Sequence, residues 1–184
     1  MKKMLALLLM TAGALAFADD ATSSTTATSS GGSNLYVGAG AGAAWNNVNS
    51  PATSFRADAG YNFTDNWALE VGTTGVTQSG GAGDQSMQYY DLSVKGTLPL
   101  GDVFALFAQV GGAYGSPGGI GGNVSFSNFN AGQLQAGWSF MSAAGIQMNV
   151  TRQVSFNLTD YYYYSAPNPQ GNTDVVLAGI KYNF

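Results

Sequence analysis

Apolar and polar residues alternate along most of the chain after residue 33, which is the period of a β-strand rather than of a helix. In residues 54–63, Phe55 and Tyr61 share one face, while Arg56 and Asp58 fall on the other. Seven further segments repeat this alternation. The pattern therefore predicts eight strands, at 34–45, 54–63, 67–77, 87–98, 103–114, 141–150, 154–164 and 173–184.

The connections between the predicted strands alternate in length. Tight turns of three or four residues (TDN, PLGD and TRQ) alternate with longer stretches that are rich in Gly, Ser, Asn and Pro. The longer stretches lie near 46–53, 78–86, 115–140 and 165–172. This alternation puts every long loop at one end and predicts an up-and-down meander closed into a barrel. The limits of the sixth strand stay open, since residues 128–140 could extend it.

Charge is scarce in this sequence. Only 9% of the residues are charged, against about a quarter in an ordinary soluble domain. A soluble sandwich or a lipocalin-like barrel would bury the apolar faces and expose opposite faces with almost no charge. In lipid, a closed barrel lets strands satisfy their backbone polar groups. We therefore predict an all-β fold, an eight-stranded antiparallel up-and-down transmembrane β-barrel, with the soluble fold as the alternative.

The first residues have the pattern of a secretory signal peptide. Lys2 and Lys3 form a basic start, residues 4–15 are apolar, and residues 16–18 have the small-x-small pattern that a signal peptidase cleaves. The apolar run is too short to span a bilayer, which favours cleavage over the alternative of an uncleaved anchor. The predicted organisation is a signal peptide at 1–18, a flexible Ser/Thr/Gly-rich linker at 19–33 and the transmembrane barrel at 34–184.

Aromatic residues are predicted to form two belts, because transmembrane barrels carry them at both membrane interfaces. One set lies near the short-turn ends of the strands: Tyr61, Phe63, Trp67, Phe104, Tyr182 and Phe184. The other set lies near the long-loop ends: Trp45, Phe55, Tyr90, Tyr114, Tyr162 and Tyr164. Strands of about ten residues separate two such belts by one hydrocarbon thickness.

The polar faces of the strands carry charges that would point into the barrel. Three bases and three acids are predicted to form an ion-pair cluster in the lumen: Arg56, Asp58, Glu70, Asp91, Lys95 and Lys181. Arg56, Asp58 and Asp91 are expected in the loop-side half, and the other three in the turn-side half. Glu70 and Lys95 lie on neighbouring strands at similar height, and we expect them to pair, because an uncompensated buried charge costs several kcal/mol.

This cluster has two interpretations. It forms a structural core of ion pairs, which suits eight strands because their interior is just wide enough for side chains. Alternatively, it forms a gated constriction in which the pairs break and reform to let small ions through. Several inward positions are small, which leaves room for water between the charges: Gly38, Gly40, Gly42, Gly60, Gly72 and Gly179.

The sequence contains no histidine and no cysteine. Nucleophiles activated by histidine are thereby excluded, and so are the common zinc sites. A carboxylate-only mechanism would need Asp58, Glu70 or Asp91, and each of these has a basic partner available. The formal net charge of −4 also argues against nucleic-acid binding, which needs a basic patch. We predict no catalytic residue, no metal site, no cofactor and no enzymatic activity.

The last strand reads VVLAGIKYNF, with apolar or aromatic side chains at Ile180, Tyr182 and Phe184. Together with the signal peptide, the inward charges and the alternating turns, it resembles the membrane domain of OmpA and the OmpX-like small outer-membrane barrels, over residues 34–184. The resemblance implies that these three residues are the assembly signal read by the barrel-insertion machinery. OmpA has a peptidoglycan-binding domain after its barrel, and no such segment follows Phe184 here, so we do not expect cell-wall tethering.

The expected location is the outer membrane of a Gram-negative bacterium, where the protein would be a monomer. The expected role is structural and surface-interacting: a largely plugged barrel that supports membrane integrity and displays loops for adhesion or recognition. The alternative is a narrow, weakly conducting porin for ions or very small solutes. The expected partners are outer-membrane lipid and lipopolysaccharide, the assembly machinery during biogenesis, and an extracellular ligand bound through the long loops, but no nucleic acid.

Overall fold

The structure, a computed structural model, describes residues 34–46, 52–78, 85–117, 137–164 and 172–184. The predicted signal peptide, the linker and most of each predicted long loop lie outside these ranges. The described residues form eight strands: β1 (Leu35–Asn46), β2 (Ala52–Asn62), β3 (Trp67–Gln78), β4 (Gln85–Pro99), β5 (Phe104–Pro117), β6 (Gly137–Asn149), β7 (Val154–Tyr164) and β8 (Thr173–Asn183). No helix in these ranges is long and apolar enough to cross a membrane.

The eight strands close into one antiparallel barrel in sequence order. Each strand pairs with the next one along the chain, and β8 returns to pair with β1, where Tyr36 lies opposite Asn183. A further backbone bond across this seam runs from Phe184 N to Leu35 O at 3.1 Å. Closure leaves no free edge among the described strands, as a bilayer requires. The predicted all-β, up-and-down barrel is confirmed.

The observed strand limits differ from the predicted ones mainly where the long connections begin. The sixth strand begins at Gly137, so residues Gly137–Phe140 extend it, while 128–136 lie outside the described residues. The fifth strand continues to Pro117 rather than ending at 114. Both extensions come from cross-strand pairing, since Gly115 lies opposite Gly137. In these two extensions the alternation of apolar and polar residues is weak. The residues are strands because they pair with each other.

Three short connections lie at one end of the barrel, here called the turn end: residues 63–66, 100–103 and 150–153. In the first, Thr64 Oγ1 accepts a hydrogen bond from Trp67 N at 3.0 Å, and in the third Thr151 Oγ1 accepts one from Val154 N at 2.9 Å. In the second, Gly101 has a φ of 95°, which glycine adopts without steric strain. The predicted tight turns are confirmed, and the other four connections join the strands at the opposite end, the loop end.

The outer wall of the barrel is apolar. Outward side chains such as Phe55, Leu92 and Ile180 are 56%, 53% and 51% exposed. The residues of both predicted belts lie on this outer side, and Trp138 and Phe140 add to the loop-end belt. The soluble alternative required these apolar faces to form a core, and the structure contradicts it. A wall of this kind is suited to lipid rather than to water.

Candidate functional site

The lumen is filled by inward side chains, and its two halves differ in chemistry. The half toward the loop end is lined by an apolar layer of residues that are 0–8% exposed: Ala44, Ala52, Met87, Tyr89, Ala113, Met141, Ala143, Tyr161, Tyr163, Val175 and Leu177. Tyr89 and Tyr163 stack within this apolar layer, with ring centroids 4.3 Å apart. Such a layer opposes hydrated ions, because it offers little to replace the water that an ion would lose.

Beneath the apolar layer, Arg56 is the centre of an ion network. Its Nη1 donates to Asp91 Oδ2 at 2.7 Å and its Nη2 donates to Asp91 Oδ1 at 2.8 Å. Nη2 also donates to Glu70 Oε1 at 3.2 Å, and Nε lies 3.6 Å from Asp58 Oδ1. The planar guanidinium is suited to this bidentate pairing in a way that a lysine ammonium is not. Arg56 therefore contacts all three acids of the predicted cluster.

Lys181 is the second centre of the ion network. Its Nζ donates to Glu70 Oε2 at 2.6 Å and lies 3.1 Å from Asp58 Oδ2. The Tyr36 hydroxyl donates to the same Glu70 oxygen at 2.7 Å, and Gln109 Nε2 donates to Glu70 Oε1 at 3.2 Å. Together with the guanidinium, these donors match the four lone-pair sites that a carboxylate offers. The buried Glu70 carboxylate is therefore fully compensated.

The predicted pairing of Glu70 with Lys95 is wrong. Glu70 lies opposite Ser93, one inward step from Lys95 on the neighbouring strand, but its carboxylate turns toward other cations. Lys95 Nζ instead donates to Gln147 Oε1 at 3.3 Å and lies 4.4 Å from the centroid of the Phe107 ring. Proximity on neighbouring strands did not decide the pairing, because long side chains meet across the lumen.

Charged residues that were expected in different halves of the lumen contact one another. The Arg56–Glu70 contact and the Lys181–Asp58 contact both cross from one predicted half to the other. Five of the six predicted residues therefore form one connected network. Lys95 stands apart from it, with no carboxylate within 4.0 Å among the described residues.

The small inward positions do not leave the room for water that the sequence suggested. A methyl group added at Gly60 would overlap the ring of Tyr36, and one added at Gly72 would overlap the guanidinium of Arg56. At the other four positions the space is taken by Asp58, by Asn157 or by neighbouring backbone: Gly38, Gly179, Gly40 and Gly42. The expectation of water at these glycines is wrong, since side chains or backbone of other strands occupy the space beside each of them.

Gly60→Ala should therefore destabilise the barrel more than Gly112→Ala. The new methyl at Gly60 would displace Tyr36 and weaken its bond to Glu70, and an extra methyl in a packed interior costs about 1–3 kcal/mol. The outward Gly112 has nothing within 4 Å of an added methyl, so its replacement should be neutral or stabilising by about 0.4–1 kcal/mol. Urea unfolding of both variants in lipid vesicles measures the difference. Equal stabilities would contradict the tight fit of Tyr36 over Gly60.

Several uncharged residues that complete the lumen were missed by the sequence analysis: Tyr36, Thr74, Gln109, Tyr161 and Tyr163. The hydroxyl of Tyr163 lies 2.9 Å from Thr74 Oγ1, and the Arg56 guanidinium lies 4.4 Å from the centroid of Tyr161. Strand alternation places all five inward, so the signal was present. Formal charge alone does not single out inward tyrosine and glutamine side chains.

The acidic and basic side chains of the ion network neutralise one another. Each of the three acids in the ion network contacts Arg56, Lys181 or both. Within the described part of the chain, no group of three or more His, Cys, Asp or Glu side chains is arranged to hold a metal ion. The arrangement can hold the strands of the barrel together across the lumen.

The residues of the predicted assembly signal all project outward. Ile180, Tyr182 and Phe184 are 51%, 41% and 56% exposed, and they lie on or directly after β8. The rings of Tyr182 and Phe184 meet edge-on, with centroids 5.2 Å apart. They therefore extend the turn-end belt beside the seam that closes the barrel.

The apolar wall, the closed barrel and the charged lumen define an outer-membrane β-barrel. The chain matches the model of the outer membrane protein beta-barrel domain over residues 4–184, and it belongs to that family. The predicted location in the outer membrane of a Gram-negative bacterium is confirmed by this membership. A comparison with curated proteins finds no match.

Several solved structures share the fold. Neisserial surface protein A is 18% identical with a TM-score of 0.67, over 84% of this chain and 99% of that one. The N-terminal β-barrel domain of Pseudomonas aeruginosa OprF is 16% identical with a TM-score of 0.56, over 83% and 99%. Ail, the attachment invasion locus protein of Yersinia pestis, is 14% identical with a TM-score of 0.53, over 83% and 97%. These likenesses establish the fold alone.

Proposed function

We propose that this protein is a structural outer-membrane barrel with a plugged lumen, whose loop end carries surface recognition, and that it is not an enzyme. The observation that carries the proposal is the filling of the lumen by two successive barriers. The apolar layer closes the loop-end half, and the ion network of Arg56 and Lys181 closes the middle. A barrel of eight strands has little interior left once such side chains are placed.

The two barriers oppose conduction by different means. Charges in the ion network are held by bonds as short as 2.6 Å, and separating such a pair in a dry interior is costly. Two tyrosine hydroxyls of the apolar layer are already engaged, since that of Tyr163 lies 2.9 Å from Thr74 Oγ1 and that of Tyr89 lies 2.9 Å from Thr173 Oγ1. Tyr163 and Met141 are also 0% exposed, so the layer offers little to a passing ion. An ion would have to open both barriers together, which supports the plugged form.

Single-channel recording in a planar bilayer tests this proposal. We expect no unit conductance steps from verified, folded protein, and no steps from a Lys95→Met variant, because Lys95 lies outside the ion network. A shift in migration between boiled and unboiled gel samples verifies folding before each recording. Reproducible small steps from the unaltered protein would contradict the plugged lumen.

The alternative is a narrow porin for ions or very small solutes. One observation favours it: inward residues at the turn end, including Gln147, Asn157 and Asn183, are polar and partly exposed, so water reaches into that half. Under this alternative, small steps would appear and Lys95→Met would change their size. The closed apolar layer outweighs this observation, because a lumen that is open only at the turn end does not conduct ions.

Surface recognition through the loop end would involve an uncharged partner. The sequence of the four loop-end connections, residues 47–51, 79–84, 118–136 and 165–171, contains no Lys or Arg and a single acid, Asp84. The structure of Ail in complex with the heparin analogue sucrose octasulfate concerns a polyanionic ligand of that protein. A polyanion needs basic side chains, so the composition here favours a ligand bound through hydrogen bonds and apolar contact instead.

The remaining proposed partners are lipid and lipopolysaccharide around the wall, and the barrel-assembly machinery during biogenesis. The outward belt residues support the first, because aromatic rings favour the membrane interface. The outward side chains of Ile180, Tyr182 and Phe184 support the second, since they are accessible from outside the barrel. Closure between β1 and β8 supports a monomer, because no described strand edge is left to pair with another copy.

A further inference from the structure

The turn-end half of the lumen is a polar cup, which differs from the closed apolar layer at the other end. Its rim consists of inward amide and hydroxyl side chains that are partly exposed: Asn62, Thr97, Gln147, Asn149, Asn157 and Asn183. Its floor contains Lys95 and Ser155, which are 4% and 1% exposed. The proposed structural role uses neither the rim nor these floor residues. Because its rim side chains are partly exposed, the cup faces solvent at the turn end.

Lys95 carries a charge that the ion network does not neutralise by direct contact. Its ammonium group makes one hydrogen bond to a neutral acceptor, Gln147 Oε1 at 3.3 Å. Its other neighbours are the ammonium group of Lys181 and the faces of Phe107 and Tyr36, whose ring centroids lie at 4.4 and 5.6 Å. An ammonium group has three donors, and an aromatic face attracts the cation without accepting all of them. Donor capacity therefore remains at Lys95.

A second donor lies at the floor of the polar cup. The Ser155 hydroxyl is buried and has no hydrogen-bond partner among the described residues. Ser155 lies directly opposite Asn149, and Asn149 Oδ1 accepts a bond from Gln147 Nε2 at 2.8 Å. The same glutamine accepts the bond from Lys95, so its amide orientation is set from both sides. Lys95 and Ser155 thus flank one fixed pair of amides, and both have a donor to offer.

From this geometry we infer that the polar cup binds a small monovalent anion between the Lys95 ammonium and the Ser155 hydroxyl, beside the amides of Gln147 and Asn149. Buried polar groups without partners are uncommon, and an orphan hydroxyl that shares two amide neighbours with an ammonium group that has unused donors indicates a missing acceptor. A halide ion or a carboxylate group would supply that acceptor. The site does not depend on whether the lumen conducts.

The charge balance predicts weak, reversible binding. The ion network contains Arg56 and Lys181 against three carboxylates, so its one excess negative charge is balanced by Lys95 at longer range. A bound anion must overcome this repulsion. Millimolar affinity is therefore expected, and a divalent anion should bind no better than a monovalent one.

Nuclear magnetic resonance of the refolded protein in detergent micelles tests the site. Sodium chloride and, separately, sodium acetate are titrated at constant ionic strength, with sodium gluconate as the bulky replacement salt. The side-chain amide signals of Gln147 and Asn149 should shift and saturate. Saturation by chloride alone assigns a halide site, and saturation by both salts extends it to carboxylates. Shifts that stay linear with both salts would overturn the inference.

Three variants separate binding from general salt effects. Lys95→Met should abolish the saturable shift, and Ser155→Ala should weaken binding about 2- to 10-fold, the effect of one lost hydrogen bond. Arg152→Met removes the same charge from an exposed turn at the same end and should leave the titration unchanged. If Lys95→Met does not fold, Ser155→Ala decides, because its hydroxyl has no partner to lose. Unchanged binding in Ser155→Ala would exclude the proposed site.

Discussion

Replacing Arg56 with methionine should destabilise the folded barrel by about 3–5 kcal/mol, because it leaves buried carboxylates without their cation. Asp91 loses both of its bonds to the guanidinium, and no other cation lies within 4.0 Å of it among the described residues. Glu70 keeps Lys181, so the loss falls mainly on Asp91. Urea unfolding in lipid vesicles at neutral pH measures the change in the free energy of unfolding.

Two controls distinguish ion pairing from loss of packing. Arg152→Met changes the same residue type in an exposed turn and should alter stability by no more than about 0.5 kcal/mol. Asp91→Asn should cost less in the Arg56→Met background than in the unaltered protein, because the unpaired charge is then removed. If Arg56→Met were as stable as Arg152→Met, the ion network would not be a source of stability.

Tyr163→Ala should both destabilise the barrel and open its apolar layer. The ring is fully buried and stacked on Tyr89, and removing an aromatic side chain from a packed interior costs about 3–5 kcal/mol. The cavity would lie beside Arg56, whose Nη1 is 3.4 Å from the lost hydroxyl, and water could then reach the ion network from the loop end. Water at Arg56 would also weaken the ion network, so both barriers would be affected, and we expect small conductance steps from this variant in a planar bilayer, in contrast to silence from the unaltered protein.

Tyr163→Phe is the matched control for the apolar layer. It keeps the ring and removes only the hydroxyl, which lies 2.9 Å from Thr74 Oγ1, so the cost should be about 1–3 kcal/mol. The lumen should remain closed to ions. If Tyr163→Ala, verified as folded by its gel shift, were as silent as Tyr163→Phe, opening the apolar layer would not be enough to let ions pass, and the expected conduction would be refuted.

The sequence by itself determined the faces of the strands and the barrel that they form. An alternating strand sends successive side chains to opposite sides, so Phe55 had to lie on the opposite side from Arg56. The alternating lengths of the connections predicted the meander. The scarcity of charged residues predicted that the outer faces of the strands contact lipid. These properties are local and periodic along the chain, which is why the strands, the tight turns and the belts could be predicted without coordinates.

Only the tertiary structure decided which side chains meet inside the lumen. Arg56 on β2 bonds Asp91 on β4, and Glu70 on β3 bonds Lys181 on β8, so the strongest ion pairs join strands that are not neighbours. Their partners are set by closure of the barrel and by the lengths of side chains that cross it. Strand order reports only adjacent neighbours, which is why the sequence predicted a pair between Glu70 and Lys95.

The roles of the inward glycines were likewise decided by the tertiary structure. Along the sequence, Gly60 and Gly72 are indistinguishable from positions that leave a void. In the closed barrel, Tyr36 and Arg56 from neighbouring strands occupy the space above them. Whether a small residue makes a cavity or seats a large neighbour depends on side chains far away in sequence, and alternation carries no information about those contacts.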